Sequence, residues 1–326
     1  MEVAVTNYGC TLLSIMVPDK HGKFANTILG HSSLEDILAC PEPFLNTTIG
    51  RYANRICKGH FILKGKEYNL TINNGPNALH GGPTGFHARV WDAVQLDKQT
   101  LKLSYISANG EEGYPGNLSV EIIYQLDNKK NDLIMKYKAT TDQTTVVNLT
   151  NHAFFNLKGI ANPTPSIEDN IVTINADFFT PMNEVSIPTG EIRCVKNSPM
   201  DFTSPHKVGD RINDDDEQIK FGAGYDHCYV LNKIEANTLT EAATCYDPTS
   251  GRKLTVLTTE PGVQFYTGNW LGGFKGAHGA TFPARSALCF EAQRFPDTPN
   301  RPYFPTCVLN PNEEYTQTTI YGFTVE

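Results

Sequence analysis

The stretch VVNLTNHAFFNL, residues 146–157, holds a histidine inside a run that otherwise has the composition of a buried β-strand. Apolar residues come before and after His152, and asparagine and threonine are interleaved with them. Buried polar groups cost free energy unless they are hydrogen-bonded. The stretch therefore predicts a strand whose polar side chains either form a satisfied internal network, with His152 as a core histidine, or line a ligand site.

Alternating apolar residues predict further strands on both sides of this stretch. Leu118–Leu126 and Leu133–Ala139 each place apolar residues on one face, and the polar turn between them predicts a hairpin with one buried face. Leu101–Tyr105 alternates in the same way and is expected to pair nearby. Other short apolar segments are bounded by Gly, Pro, Asn or Asp: Ile171–Ile174, Tyr229–Leu231, Leu254–Leu257, Leu288–Phe290 and Tyr315–Phe323.

Helical periodicity is scarce. The best helix candidate is Leu34–Leu38, which Ser32 precedes in a capping-box pattern with Glu35. The chain has 26 glycines and 20 prolines to form turns, and it contains no repeat or low-complexity linker. We therefore predict an all-β protein, a large antiparallel β-sandwich with few short helices, in a single domain over residues 1–326. The segment Asp210–Glu217 is expected to be an acidic surface loop.

Composition excludes several classes of function. The formal net charge of −8, without a Lys/Arg cluster, argues against binding to nucleic acid or to an anionic membrane. No apolar run is long enough to span a membrane, and the N-terminus lacks a secretory signal. The eight cysteines form no C-x-x-C pair and predict reduced, mostly buried thiols in a cytoplasmic protein. The histidines lack metal-ligand spacing, so we expect neither a metal nor a cofactor.

Five polar clusters stand out against this β background. They are Ile49–Ile56 with Arg51, Asn54 and Arg55; Asn77–Gly82 with His80; the opening stretch with His152; Gly224–Leu231 with Asp226 and His227; and Leu288–Asn300 with Glu291. Each cluster alone has a structural explanation, such as an ion pair between Glu291 and Arg294. Together they supply groups for acid–base catalysis and hydrogen bonds to vicinal hydroxyls. Nucleophile and phosphate-loop motifs are absent, so the set predicts proton transfer on a neutral, hydroxyl-rich ligand.

Six segments, in this order, resemble the aldose 1-epimerase (galactose mutarotase) family: GRYANRI, ALHGG, NLTNHAFFNL, GYDHCYVL, EPGVQFYTGNWL and FEAQRFPDTPN. The resemblance runs from about Arg51 to the C-terminus and also takes in Val5–Asp19. It implies the galactose mutarotase-like supersandwich fold with a sugar in an open cleft. It also implies interconversion of the α and β anomers of free aldohexoses, glucose and galactose, without a cofactor. We expect a monosaccharide as the only partner, and a monomer or homodimer.

The resemblance implies roles for individual residues. Glu291 matches the family's general base and His152 its general acid. Glu291 would take the proton of the C1 hydroxyl while protonated His152 donates to the ring oxygen, and a nearby donor or positive charge would hold Glu291 ionised. The residues that match sugar-binding positions are His80, Asp226, Arg55, Asn54 and Gln264. An exposed aromatic residue is expected to stack on the sugar, and the candidates are Phe265, Trp270 and Phe274.

The sequence departs from the family's pattern in two respects. Ala153, Ala292 and Arg294 stand where relatives often carry other residues, and they are expected to influence substrate preference. A strand that precedes the early YG segment in many relatives is expected to be absent, which would leave a sheet edge exposed.

Other functions compete with the epimerase hypothesis. A glycoside hydrolase would use Asp226 and Glu291 as its two carboxylates, but it would leave the histidine motifs without a role. A non-catalytic sugar-binding module would not need an acid–base pair. An enzyme acting on hexose 6-phosphates would need a basic pocket, for which the sequence offers no cluster of lysines and arginines.

Overall fold

The structure, a computed structural model, describes residues 1–326 and consists mainly of antiparallel strands with two short helices. The strands are β1 (Glu2–Val5), β2 (Leu12–Pro18), β3 (Phe24–Asn26), β4 (Thr48–Ile49), β5 (Arg55–Ile56), β6 (His60–Leu63), β7 (Lys66–Asn69), β8 (Ala78–Leu79), β9 (Asp92–Asp97), β10 (Thr100–Ser107), β11 (Leu118–Asp127), β12 (Asp132–Thr141), β13 (Thr145–Val146), β14 (Thr150–Asn151), β15 (Ile171–Ile174), β16 (Phe178–Thr180), β17 (Arg193–Cys194), β18 (His206–Lys207), β19 (Asp226–Val230), β20 (Thr240–Tyr246), β21 (Arg252–Thr258), β22 (Gly262–Tyr266), β23 (Phe274–Lys275), β24 (Thr281–Phe282), β25 (Cys289–Gln293), β26 (Val308–Leu309) and β27 (Tyr315–Val325). The helices are α1 (Leu34–Ala39) and α2 (Glu217–Gly222).

Two sheets dominate the molecule. A nine-stranded sheet has the order β18-β15-β20-β21-β27-β12-β11-β10-β9, and a five-stranded sheet has the order β17-β16-β19-β22-β25. A smaller sheet, β1-β2-β3, and several two-stranded pairs complete the structure. The predicted all-β, antiparallel sandwich is confirmed.

The predicted hairpin forms the middle of the large sheet. Strands β11 and β12 pair in continuous register from Leu118 opposite Thr141 to Asp127 opposite Asp132, and β10 pairs with β11 on its other side. The residues of β11 alternate between buried and more exposed positions, as a strand with one covered face requires. The period of two in the sequence therefore identified both the elements and their buried face.

Two neighbouring strands of the five-stranded sheet, β22 and β25, position the candidate site. All five residues of β22 and all five of β25 are buried. On one face, Phe265 and Phe290 stack at 5.2 Å within an apolar core of 48 residues that also includes side chains of the nine-stranded sheet. Since side chains alternate along a strand, the neighbouring residues Gln264 and Glu291 point to the opposite face.

The stretch at residues 146–157 is buried as predicted, but it is not one continuous strand. It holds only the end of β13, the two residues of β14 and isolated bridges at Asn148 and Phe155. The Asn148 amide donates to the carbonyl of Ala53 at 3.0 Å and accepts the N–H of Arg294 at 2.8 Å. Asn156 donates to two further carbonyls, at 2.7 and 2.8 Å. Hydrogen bonds from side-chain amides thus replace the backbone hydrogen bonds that a regular strand would form with its neighbours.

The two helices differ from expectation at their ends. Helix α1 begins at Leu34 as predicted, but Ser33 caps it rather than Ser32, because the Ser33 hydroxyl accepts the N–H of Asp36 at 3.1 Å. Helix α2 was not predicted. It begins at Glu217, the last residue of the predicted acidic loop, because the carboxylate of Asp216 caps it by accepting the N–H of Gln218 at 2.8 Å. Neither helix has the length and apolar character that crossing a membrane would require.

Candidate active site

A cleft of about 740 Å³ opens on the face of the five-stranded sheet opposite the core. Six of the seven residues predicted for the site line it: Asn54, Arg55, His80, His152, Asp226 and Glu291. The seventh, Gln264, is 3% exposed and contacts Asp226 from behind. Residues that lie far apart in the sequence therefore meet in one concave surface.

Glu291 and His152 form the centre of the cleft. Strand β25 fixes Glu291 opposite Gln264 in the sheet register. The Oε1 atom of Glu291 lies 3.5 Å from Nε2 of His152. The backbone N–H of His152 donates to the carbonyl of Thr47 at 3.0 Å, and its ring stacks on Phe154 at 4.7 Å. Strand pairing thus holds Glu291, while a backbone hydrogen bond and ring packing hold His152.

Burial shifts the protonation of this pair towards uncharged forms. Desolvation lowers the pKa of His152 to about 3. Desolvation also raises the pKa of Glu291 well above its ordinary value, the negative charge of Asp226 raises it further, and Arg55 acts in the opposite direction. The positive charge of Arg55 acts in the direction expected for keeping Glu291 ionised, but burial acts against it and has the larger effect on the pKa of Glu291.

His80 is held by a backbone turn that only glycine can complete. Its Nδ1 accepts the N–H of Asn54 at 3.1 Å, and burial lowers its pKa, so the neutral ring carries its proton on Nε2. The backbone of Gly81 follows at φ +81°, where a Cβ would collide with the carbonyl oxygen of Gly50. The turn fixes the His80 ring 5.2 Å from that of His152.

His80, His152 and Glu291 converge so closely that one nitrogen or oxygen atom of each lies within 4.8 Å of the others. Two imidazoles and a carboxylate are a common donor set for zinc. Here, however, the backbone N–H at Nδ1 makes Nε2 of His80 a hydrogen-bond donor rather than a metal ligand. The group is therefore better suited to a hydroxyl or ring oxygen than to a cation.

A second group of polar side chains lies beside the central pair. Gln264 Nε2 donates to Oδ1 of Asp226 at 2.7 Å, and Nη1 of Arg55 lies 4.0 Å from the other carboxylate oxygen. Nε of Arg55 donates to Oδ1 of Asn74 at 2.9 Å, which fixes the guanidinium. A carboxylate and a guanidinium held side by side offer an acceptor and several donors to adjacent hydroxyls.

The structure separates the three aromatic candidates for a sugar platform. Trp270 lines the cleft and is 64% exposed, and its backbone N–H donates to the Tyr266 hydroxyl at 3.0 Å. Phe265 is fully buried in the core, and Phe274 packs against Phe282 at 5.8 Å. Only Trp270 is placed to cover a ligand.

Sequence reasoning missed other residues of the cleft, above all Glu42 and Phe44. Phe44 packs between His80 and His87, 4.7 Å from each ring, and Glu42 lines the cleft beside it. Burial raises the pKa of Glu42 to about 7. These residues lie in PEPF, a segment with two prolines and no periodicity, so no sequence pattern pointed to them.

Two arginines from the polar clusters have structural roles. Arg51 is buried and donates to the hydroxyl of Ser107 at 2.8 Å and to the carbonyl of Pro115 at 2.9 Å. Nε of Arg294 lies 3.4 Å from Oε2 of Glu260. The ion pair considered between Arg294 and Glu291 is therefore wrong, and Glu291 is left to the cleft.

Comparison with known proteins shows the family of this chain. The sequence model of the family described as aldose 1-epimerase matches residues 1–322. The chain belongs to the aldose 1-epimerase family. The match confirms the resemblance inferred from the six motifs. The protein is an isomerase that acts on carbohydrates.

Other members of the aldose 1-epimerase family align along the whole chain. Galactose mutarotase of Bos taurus is 44% identical over 326 residues, covering 100% of this chain and 92% of the relative. Aldose 1-epimerase of Escherichia coli is 34% identical, with 100% and 93% covered. Among solved structures, an aldose epimerase homologue from C. elegans has a TM-score of 0.89 at 28% identity, with 99% and 95% covered. Galactose 1-epimerase from Lactobacillus acidophilus has a TM-score of 0.85 at 30% identity, with 99% and 91% covered.

Proposed function

We propose that this enzyme interconverts the α and β anomers of free aldohexoses, galactose and glucose, by acid–base ring opening and reclosure. The observation that carries the proposal is the 3.5 Å approach of Glu291 Oε1 and His152 Nε2 at the base of an open cleft. Curated relatives named galactose mutarotase, which are 42–44% identical over the full chain, support the same activity.

Ring opening needs one base and one acid, and a pair that shares a single proton supplies both. Ionised Glu291 takes the proton of the C1 hydroxyl while protonated His152 gives its proton to the ring oxygen. The C1–O5 bond breaks, the aldehyde forms, and the pair is left with Glu291 protonated and His152 neutral. Burial favours this uncharged state of the pair, as the pKa shifts of both groups indicate.

Reclosure runs the same transfers in reverse. After rotation about the C1–C2 bond, His152 takes the proton of the C5 hydroxyl, and Glu291 protonates the carbonyl oxygen as the ring closes on its other face. No proton is exchanged with solvent over the full cycle. The pair therefore needs no external buffer and returns to its starting state with the opposite anomer.

The remaining side chains hold the sugar. Asp226 and Arg55 bind adjacent hydroxyls, with Gln264 orienting the carboxylate and Asn74 the guanidinium. His80 donates from Nε2 to a ring or hydroxyl oxygen, since Asn54 fixes its tautomer. Trp270 covers the apolar face of the ring.

Two alternative functions fit these residues less well. A glycosidase would need both carboxylates free to flank a bond, but Asp226 accepts from Gln264 and faces Arg55. A hexose 6-phosphate enzyme would need cations, but Arg55 is the only lysine or arginine lining the cleft. Epimerisation of neutral sugars gives a role to all seven residues predicted for the site.

Polarimetry tests the proposal directly. Freshly dissolved α-D-galactose and α-D-glucose should equilibrate faster with the protein than without it, after subtraction of the spontaneous rate. Glu291→Gln should lose this acceleration by about 10²–10⁴-fold. Hydrolysis of an aryl galactoside, measured in parallel, should be absent. Rapid hydrolysis, or equal rates for the protein and the variant, would refute the proposal.

A further inference from the structure

We propose that Glu42 gives this cleft a charge preference, so that the enzyme also acts on aldoses carrying an ammonium group and discriminates against aldoses carrying a carboxylate or phosphate. The inference rests on the proposed function, because it concerns the substrates of the same cleft. It assigns Glu42 as a specificity-determining residue rather than a catalytic one.

Glu42 is an unpaired carboxyl group at the wall of the cleft. Its Oε1 accepts the backbone N–H of Phe44 at 3.3 Å, and it takes part in none of the ion pairs of the structure. The neighbouring ring of Phe44 packs on His80, which places Glu42 beside the sugar-binding residues. Burial raises the pKa of Glu42 to about 7, so above that pH it is a half-buried carboxylate without a cationic partner. Such a carboxylate stabilises any cation that enters beside it.

The cleft as a whole carries an excess of negative charge. Its carboxyl groups other than Glu291, whose pKa burial raises well above the ordinary value, are Glu42, Glu184 and Asp226, while Arg55 is its only arginine or lysine. The histidines do not change this balance, since burial lowers the pKa of His80, of His87 to about 4 and of His152 to about 3. Asp226 faces Arg55 and Glu291 faces His152. Glu42 is thus a half-buried carboxyl group left for the ligand.

A negatively charged cleft with low-dielectric walls raises the local concentration of cationic ligands and lowers that of anionic ones. Glucosamine, glucose and glucuronate share the pyranose ring and the anomeric hydroxyl but differ in charge. We expect the acceleration of anomer exchange to fall in that order. The differences should shrink as salt is added, because mobile ions screen charges in an open cleft.

The test measures kcat/KM for glucosamine and glucuronate, by magnetisation exchange between their anomeric proton signals, in three proteins. In Glu42→Gln the ratio of the two values should fall by about tenfold relative to the unmodified enzyme. Glu184→Gln is the matched control: it removes the same charge from the same cleft, but at an exposed position, so its ratio should change by less than about twofold. The difference in shape between the two sugars contributes to the ratio in every protein, so it cancels when the ratio of a variant is divided by that of the unmodified enzyme.

Several outcomes would overturn the proposal. One is an unchanged ratio in Glu42→Gln while glucose is still epimerised, and another is equal handling of glucuronate and glucosamine by the unmodified enzyme. If no sugar at all is accelerated, the proposed function itself fails. Binding of the two charged sugars, followed by the fluorescence of Trp270, then tests the charge preference without catalysis; equal affinities would refute it.

Discussion

At the scale of single residues, the site depends on burial acting in opposite directions on an acid and a base. Desolvation raises the pKa of Glu291 and lowers that of His152, so the pair tends towards a state without charges. The motifs identified both residues, but not their protonation. Their protonation follows from how deeply β25 buries Glu291 and the segment after β14 buries His152. No local sequence pattern encodes this depth.

Asp226 is expected to act mainly in sugar binding. Asp226→Asn keeps the size of the side chain and removes the charge that faces Arg55 and accepts from Gln264. Hydrogen bonds to charged groups contribute about 1.5–3 kcal/mol, so KM for galactose should rise by about 10- to 100-fold with a smaller change in kcat. Steady-state polarimetry over a range of galactose concentrations measures both constants. A loss confined to kcat would instead place Asp226 in the proton transfers.

Trp270 provides a second test at this scale. If it covers the apolar face of the sugar, Trp270→Ala should weaken galactose binding and raise KM, while Phe274→Ala should leave KM unchanged, because Phe274 packs on Phe282 outside the cleft. Galactose should also quench the fluorescence of the unmodified protein, whose other tryptophan, Trp91, is buried. An unchanged KM in Trp270→Ala would show that Trp270 does not contact the sugar.

At the scale of elements, the turn that carries His80 depends on glycine. Gly81→Ala combines a positive φ with a collision against the carbonyl of Gly50. Gly65→Ala is the matched control, since Gly65 has φ +77° and open space where a Cβ would lie. We expect the control to lower the free energy of unfolding by about 1–2 kcal/mol and Gly81→Ala by about 3 kcal/mol or more, measured by urea denaturation. Equal losses would show that the close contact with Gly50 has no energetic role.

Elements with one covered face were predicted more completely than elements covered on both faces or held by side chains. The alternation in β11 and β12 gave their limits and their buried face. Strands β22 and β25 are buried at every position, so their sequences show no period of two. Residues 146–157 have the composition of a strand but lack the continuous backbone hydrogen bonding of one. Their asparagine side chains bond to backbone carbonyls instead.

At the scale of the whole molecule, burial of imidazoles makes stability depend on pH. His80, His87, His152 and His227 are all at most 5% exposed. Burial lowers the pKa of His227 to about 4, whereas an unfolded histidine titrates near 6.5. Below pH 6.5 the unfolded chain therefore binds a proton that the folded chain refuses, so this contribution to stability is lost as pH falls towards 4.

A single variant isolates this effect. His227 lies outside the central pair, and its Nδ1 accepts the N–H of Asp226 at 3.1 Å, a bond that a glutamine oxygen can replace. Between pH 6.5 and about 4, the unfolding free energy of His227→Gln should depend on pH less steeply than that of the unmodified protein, by about 1.4 kcal/mol per pH unit. Urea denaturation at several pH values gives both slopes. Parallel slopes would mean that His227 titrates normally in the folded state.

The function of the whole molecule was predicted from its motifs taken together. No single polar cluster was sufficient, because each of them alone had a structural explanation. Arg51 did prove structural, and Arg294 pairs with Glu260. The set of Glu291, His152 and His80 converged as the family resemblance implied. Glu42 and Phe44 were not predicted as residues of the cleft. Their position depends on how the loop between α1 and β4 folds against strands that are distant in the sequence.

The central claim is that Glu291 and His152 act as one unit around a single shared proton. Nuclear magnetic resonance exchange between the anomeric protons of galactose tests it in four proteins: the unmodified enzyme, Glu291→Gln, His152→Gln and the double variant, each checked for folding by circular dichroism. Each single variant should lose about 10²–10⁴-fold in rate, and the double variant should lose little more than either. Losses that multiply in the double variant, or a His152→Gln variant with the unmodified rate, would contradict the shared-proton mechanism.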